Sequence, residues 1–416
     1  MKIFLTSLGT RGDIEPFLAL GNLLTNQSHD VVYCFPLQFE KLININFKFY
    51  PLTKKFVELI ESKDGKVIMG KASPFRKLKA LFRLYRKGKT VNQIVINQQI
   101  EALHLEKPDL IIQHPKSLAP LIWGLKNQVE VITYCPVPYV LHFTKEHPHI
   151  GFPYLNNSIY VKLTYALAKF ALVKQIYDSQ SVIKYQSQYS KKVIESNLLK
   201  SKIIYAVSPH LFSREERWLK NIQILDHHER QIPKEYKPSK KILEFLNTHE
   251  KVLCLTFGSM VNDNPIATSE VFLKVLVELD YPFIVNISSG GLVGLEEFRK
   301  FKKIHFVENI PYEWLFKRVY AVVHHGGSGT THMGLKHGLP SLVIPHIADQ
   351  FMWNRQIYSN AYGPKGISIN KINYSKLKPL IKDLYSNKGY KKNVSELSDK
   401  MLKENLEKKL LRFIES

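Results

Sequence analysis

Short apolar runs alternate with stretches of helical pattern along this chain, and the alternation starts twice. In the first half the runs are KIFLTS, HDVVYCF, FKFYPL, PDLIIQ, VEVITYC and KIIYAV. In the second half they are KVLCLTFGSM, YPFIVNIS, KIHFVE, YAVVHH and PSLVIP. Strands that alternate with helices predict a parallel sheet covered by helices. Between the two series lies DHHERQIPKEYKPSKK, which is polar, carries two prolines and has little periodicity, as an interdomain segment would. The expectation is an α/β chain of two Rossmann-like parallel-sheet domains facing one cleft. The first covers residues 1–230 and the second 231–400. A last helix over 401–416 is expected to pack back toward the first domain.

Length supports two cores, since 416 residues exceed what one core usually holds. Lys and Arg total 59 against 36 Asp and Glu, a formal charge of +23. Such an excess favours an anionic partner: a nucleic acid, an anionic membrane surface or a phosphorylated substrate. The three cysteines, Cys34, Cys135 and Cys254, are far apart and show no metal-ligand spacing, so neither a disulfide framework nor a zinc site is expected. The opening MKIFLTSLGTRGD reads as a strand and turn rather than a signal peptide. No apolar run approaches the roughly 18–20 residues that span a bilayer. A cytoplasmic protein is expected, soluble or lying on the inner face of a membrane.

Parallel sheets bind ligands beyond the carboxyl ends of their strands, and three glycine-bearing segments fall there: Gly9–Asp13, Gly258–Met260 and His324–Thr330. HHGGSGT (His324–Thr330) follows the strand YAVV and precedes a helical pattern. The unsatisfied amides and positive end of a helix N-terminus attract anions. Glycines let the backbone come close, while Ser328, Thr330 and His325 offer further donors. A tight turn with a hydroxyl cap would use the same residues. The segment is neither a P-loop nor a GxGxxG fingerprint. Asp349 and Gln350, after the strand PSLVIP, start another helix; an acid–amide pair suits vicinal sugar hydroxyls, and Asp also suits a plain cap. In SLGTRGD, Asp13 is placed to cap the helix DIEPFLALGNLLTN, with Pro16 in its first turn, and it could also act as a general base. Gly9 and Gly12 keep that loop lean.

Two helical stretches have open roles. Residues 71–89 carry eight basic residues and no acidic one, with Phe75, Leu78, Leu81, Phe82 and Tyr85 at helical spacing. That composition suits an anionic membrane surface, or a helix packed on the core with a solvated basic face. No nucleic-acid reader motif accompanies it. The stretch Ile159–Gln180 is rich in Tyr, Leu and Ala, as a core helix or the wall of an apolar acceptor pocket would be.

Together the segments TSLGTRGDIEPFLALG, YAVSPHLFSREERW, LTFGSM and VENIPYEWLFKRVYAVVHHGGSGTTHMGLKHGLPSLVIPHIADQFMWNRQIY resemble the UDP-glycosyltransferase superfamily of GT-B fold. The nearest branch is the sterol glucosyltransferase-like and antibiotic glycosyltransferases. The resemblance implies an acceptor-binding first domain and a nucleotide-sugar-binding second domain. It implies that Asp13 activates the acceptor, with Gly9, Thr10 and Gly12 beside it at the donor. It implies that His325 contacts the donor diphosphate and that Gly327, Ser328, Gly329 and Thr330 cradle it. Ser259, with Gly258, would face the same diphosphate, Asn309 and Ile310 would grip the base, and Asp349 and Gln350 would hold the sugar. Plant relatives place a tryptophan where this chain has Asn309. The implied reaction is an inverting transfer from a UDP-sugar to a hydrophobic hydroxylated acceptor. No cofactor or metal is expected, in keeping with the missing DxD sequence, and no nucleic acid. A sugar-nucleotide epimerase or hydrolase of the same fold, and a non-catalytic lipid-binding protein, are the competing readings. A dinucleotide oxidoreductase lacks its fingerprint.

Overall fold

The computed structural model describes residues 1–69, 74–183, 188–230, 236–260, 262, 264–287, 291–308 and 310–416. The chain forms two compact units. The first comprises Met1–Gly65, Leu78–Arg230 and Leu406–Ser416. Its strands are β1 (Lys2–Thr6), β2 (Asp30–Pro36), β3 (Lys48–Leu52), β4 (Leu110–Gln113), β5 (Glu130–Cys135), β6 (Ile203–Tyr205) and β7 (Ile222–Ile224). They form one sheet in the order β3-β2-β1-β4-β5-β6-β7, and every pairing is parallel. The helices along this part of the chain are α1 (Arg11–Asn26), α2 (Lys55–Glu61), α3 (Lys63–Met69), α4 (Pro74–Glu106), α5 (Ala119–Asn127), α6 (Ser158–Ile183) and α7 (Lys191–Lys200).

Both faces of the sheet are covered, which explains why its strands read as continuous apolar runs. Ile3, Leu5, Tyr33 and Ile112 point to one core, shared with Phe17 and Leu20 of α1. Phe4, Val32 and Ile111 point to the other, shared with Val95 of α4, Ile122 of α5 and Ile176 of α6. Strand order reverses at the β1/β4 boundary, where Thr6 pairs with Gln113. The loops after these two strands are therefore neighbours, at the place where open α/β sheets take ligands.

The second unit comprises Lys66–Lys77 and Gln231–Asn405. Strands β8 (Leu253–Thr256), β9 (Phe283–Asn286), β10 (Ile304–Val307), β11 (Ala321–His324) and β12 (Ser341–Val343) form a parallel sheet ordered β10-β9-β8-β11-β12. The helices of the chain from here on are α8 (Lys240–Thr248), α9 (Pro265–Leu279), α10 (Tyr312–Phe316), α11 (Ser328–Lys336), α12 (Asp349–Ser359), α13 (Tyr374–Ser386), α14 (Lys388–Lys403) and α15 (Glu407–Glu415). Leu255, Val285 and Val323 pack against α9 and α13, while Cys254, Ile284 and Val322 pack against α8 and α10. The strand order reverses at β8/β11, where Thr256 pairs with His324. Asn264 caps α9 by accepting from the Ala267 amide at 3.0 Å, with Pro265 at the first helical position. Asn264→Ala is expected to cost about 1 kcal/mol, read as a lower urea midpoint for the unfolding of this unit.

Four sequence expectations change. The first helix begins at Arg11, capped by Thr10, so Asp13 is the third helical residue and not the cap. Pro16 consequently sits inside α1 and not in its first turn. Strand β7 has no counterpart among the expected strands. The terminal helix over 401–416 is two pieces: α14 runs to Lys403, and α15 begins at Glu407 with Leu410, Leu411 and Ile414 in the core beneath β1 and β2. Residues 71–73 of the basic stretch 71–89 lie outside the described residues. The rest forms the start of α4, where Leu81, Phe82 and Tyr85 are exposed.

Candidate active site

In the first unit the site starts where β1 stops. The Ser7 hydroxyl donates to the Asp13 carbonyl at 2.7 Å and ties the loop to the first turn of α1. The Thr10 amide donates to Asp13 Oδ2 at 2.8 Å, one half of a capping box. This folds the carboxylate back over Gly9, whose φ of 135° suits glycine. A Cβ at Gly9 would lie 2.0 Å from Asp13 Oδ2 and 2.9 Å from Lys116 Nζ. Gly12 has open space around it, with Thr10 Oγ1 the nearest atom at 3.9 Å.

The other carboxylate oxygen belongs to the β4 loop. Lys116 Nζ lies 2.7 Å from Asp13 Oδ1, and His114 Nε2 lies 3.2 Å from it. The Lys116 amide donates to His114 Nδ1 at 3.0 Å. That leaves the imidazole proton on Nε2, directed at Asp13. Desolvation by burial pushes the His114 pKa down, and the ring is neutral near pH 7. Desolvation alone would raise the Asp13 carboxyl. The Lys116 ammonium and the His114 hydrogen bond outweigh it and hold Asp13 well below the usual carboxylate range. Neither His114 nor Lys116 was singled out from the sequence. The signal was the polar HPK directly after PDLIIQ, and only the β1/β4 pairing gives it meaning.

In the second unit the register of Thr256 with His324 sets the loop after β8 beside the loop after β11. His325 fills the space between them. A Cβ at Gly258 would lie 3.0 Å from His325 Cε1, and one at Gly327 would lie 2.4 Å from Nε2. The ring therefore requires glycine at 327, while Gly258 combines a tight approach to the ring with a φ of 55° that suits glycine. Gly326, with φ of 91°, turns the chain into α11, and a Cβ there would meet Val343 Cγ1 at 2.6 Å. His325 is buried and its Nδ1 has no hydrogen-bond partner among the described residues. Desolvation holds its pKa well below the ordinary histidine value, with His324 and His346 adding to the effect. His324 Nδ1 accepts from the Gly326 amide at 3.2 Å, and burial pushes its pKa down to about 3.

Helix α11 starts at Ser328 with Gly327 as its cap residue and no side-chain cap bond. Ser328 and Thr330 are buried in its first turn, with Gly329 between them. Ser259 is half-buried in the β8 loop beside Gly258. Ile310 is buried in the apolar cluster under α8 and α10. Asn309 lies outside the described residues. Asp349 and Gln350 open α12, as the sequence implies. Ala348 before them has φ 41° and ψ −119°, a conformation that residues with a Cβ rarely adopt. Gln350 is turned inward. Its Oε1 accepts from the His346 amide at 2.7 Å and the Ile347 amide at 3.1 Å, and its Nε2 faces Met260 Sδ at 3.3 Å. It therefore ties the β12–α12 loop to the β8 loop. Within this unit the β8, β11 and β12 loops gather His325, Ser259, Asp349, Gln350 and the start of α11 at the strand-order reversal.

Residues 3–122 match the family model of the glycosyltransferase family 28 N-terminal domain, and residues 270–412 that of the erythromycin biosynthesis protein CIII-like C-terminal domain. The sterol 3-beta-glucosyltransferase UGT80A2 of Arabidopsis thaliana is 24% identical over 401 residues, covering 93% of this chain and 61% of that protein. A sterol 3-beta-glucosyltransferase of Saccharomyces cerevisiae (strain YJM789) is 24% identical over 422 residues, covering 97% of this chain and 34% of that protein. The chain thus spans about three fifths of the plant relative and a third of the yeast one. Among solved structures, the kitacinnamycin glycotransferase superposes with a TM-score of 0.70 at 15% identity, over 99% of both chains. The spinosyn rhamnosyltransferase SpnG complexed with thymidine diphosphate gives 0.67 at 13% identity, over all of both chains. The two parallel-sheet units have the GT-B fold. The two domain matches and the sterol glucosyltransferase relatives support the UDP-glycosyltransferase superfamily of GT-B fold.

Proposed function

We propose that the chain is an inverting, metal-independent glycosyltransferase. It moves a hexose, glucose by its sterol glucosyltransferase relatives, from a UDP-sugar to a hydroxyl of a hydrophobic acceptor such as a sterol or another lipid. The observation that carries this reading is the buried His325 ring, seated between two glycine loops beside the start of α11, with an orphaned Nδ1. A diphosphate supplies the negative charge that such a ring and helix start favour. Ser328, Gly329, Thr330 and Ser259 add donors around it. Asp349 holds sugar hydroxyls, and Gln350 fixes the loop that presents it. The acceptor hydroxyl gives its proton to Asp13, and its oxygen attacks the anomeric carbon of the bound donor. The bond to the diphosphate breaks, and the helix start with His325 stabilises the leaving charge. The second unit binds the donor and the first unit the acceptor. No helix among the described residues is long and apolar enough to cross a membrane. The protein lies at the cytoplasmic face of an anionic membrane, touching it through the start of α4.

The test is calorimetry with UDP, TDP, GDP and NADH, followed by UDP-glucose turnover with and without a sterol. Selective binding of UDP is expected, with UDP released only when the sterol is present. Sugar-nucleotide consumption without acceptor would replace transfer by hydrolysis or epimerisation. Binding of NADH alone, or of no nucleotide, would overturn the donor site.

A further inference from the structure

Helix α6 is apolar on two faces, and only one is covered. Val161, Tyr165, Val173 and Ile176 are buried. Ile159, Leu163, Leu167 and Phe170 are not: Ile159 is 76% and Phe170 63% exposed. At 3.6 residues per turn these four share a stripe about 80° wide and roughly 17 Å long. The exposed Tyr154 and Leu155 lead into it. Helix α4 adds a second exposed apolar group, Leu81, Phe82 and Tyr85, with Tyr85 71% exposed. The two helices are neighbours, since Val91 and Val95 of α4 share one apolar cluster with Val173 and Ile176 of α6.

The surroundings are cationic. From Pro74 to Ile100 the chain has no acidic residue. Asp64 pairs with Arg83 and Lys87, Glu195 with Lys169, and Asp178 with Lys174. Lys162, Arg86 and Lys89 have no ion-pair partner among the described residues. Exposed aliphatic and aromatic side chains next to unpaired cations match a layer of acyl chains beneath anionic headgroups. A second copy of the chain fits poorly, since a two-fold contact would set these cations against themselves.

We propose that the outer faces of α6 and α4 together form a docking platform for an anionic lipid bilayer. The inference extends the proposed membrane contact of α4 and rests on that part of the functional reading. Its test involves neither donor nor turnover, so its failure would leave the transferase reading standing. The full-length protein would be sedimented with vesicles of phosphatidylcholine alone and of phosphatidylcholine mixed equally with phosphatidylglycerol. Binding is expected to the mixed vesicles only, and to weaken with added salt. Leu163→Gln with Phe170→Gln should lower partitioning at least about tenfold, as loss of two inserted side chains predicts. Phe82→Gln with Tyr85→Gln should do the same, and Arg86→Glu with Lys89→Glu should abolish the preference for anionic vesicles. All six positions are exposed, and circular dichroism would confirm the fold of each variant. No binding to mixed vesicles, or equal binding by the α6 variant, would overturn the proposal. So would a dimer in sedimentation velocity that the α6 substitutions dissolve.

Discussion

Asp13→Asn is expected to lower sugar transfer by about 10²–10⁴-fold, the range for a lost general base, with UDP affinity unchanged. The amide can still accept from the Thr10 amide, as Oδ2 does now at 2.8 Å. It cannot take a proton from a hydroxyl. A residue that only capped α1 would behave differently: activity would follow the small loss of stability and survive at low temperature. Full activity in the variant would remove Asp13 from the chemistry. The Lys116 contact gives a second, independent reading. Because Asp13 is held below its ordinary range, it stays ionised as pH falls through the usual carboxylate values. Its acid limb in kcat/KM therefore lies low. The stability that the pair contributes is present above the unfolded carboxyl pKa and is lost as pH falls through the depressed folded one. Lys116→Met removes the main lowering influence, leaving desolvation to raise the carboxyl. The acid limb should move to higher pH while the plateau persists. A plateau that collapses with no shift in the limb would mean that Lys116 touches substrate rather than tuning Asp13.

What was legible in the sequence follows from how local each signal is. Eleven strands announced themselves through apolar runs; burial on both faces leaves most of them no polar alternation, while the edge strands β3 and β10 are only partly buried. Strand β7 is only Ile-Gln-Ile at a sheet edge, too short and too polar at its centre to stand out. The glycine loops were visible as strings, and their reason was not. Gly9 makes room for a carboxylate four residues on, and Gly258 for an imidazole 67 residues on, which only the fold brings there. His114 and Lys116 stand about a hundred residues from Asp13 and meet it because β1 and β4 are neighbours. Helix α6 could be read as core or as a pocket wall because both of its faces are apolar; the exposed one, with Ile159 and Phe170, was indistinguishable by pattern from the buried one. Gln350 was read as a sugar ligand from its place after Asp349. In the fold its carbonyl holds two loop amides, a role that no spacing encodes.

His325→Ala is expected to weaken UDP binding by about 1–3 kcal/mol, roughly 5- to 150-fold in Kd, the range for a lost hydrogen bond to a charged group. The ring is buried and its pKa lies well below the ordinary value, so unliganded protein carries it neutral at pH 7. Its orphaned Nδ1 makes the free state costly, as an unpaired buried polar atom is. A diphosphate oxygen would satisfy a donor at either ring nitrogen and would also favour the protonated form. If the ring stays neutral in the complex, His325→Gln, which keeps an N–H donor, should recover part of the affinity, and binding should release or take up no proton at this residue. If the ring becomes charged, calorimetry in buffers of different ionisation enthalpy will register proton uptake that both variants lose. His325→Ala also leaves a void against Gly258 and Gly327. Thermal unfolding without nucleotide therefore separates loss of packing from loss of a ligand contact. Unchanged affinity in a folded His325→Ala protein would remove the residue from the donor site and leave anion binding to the start of α11 and Ser259.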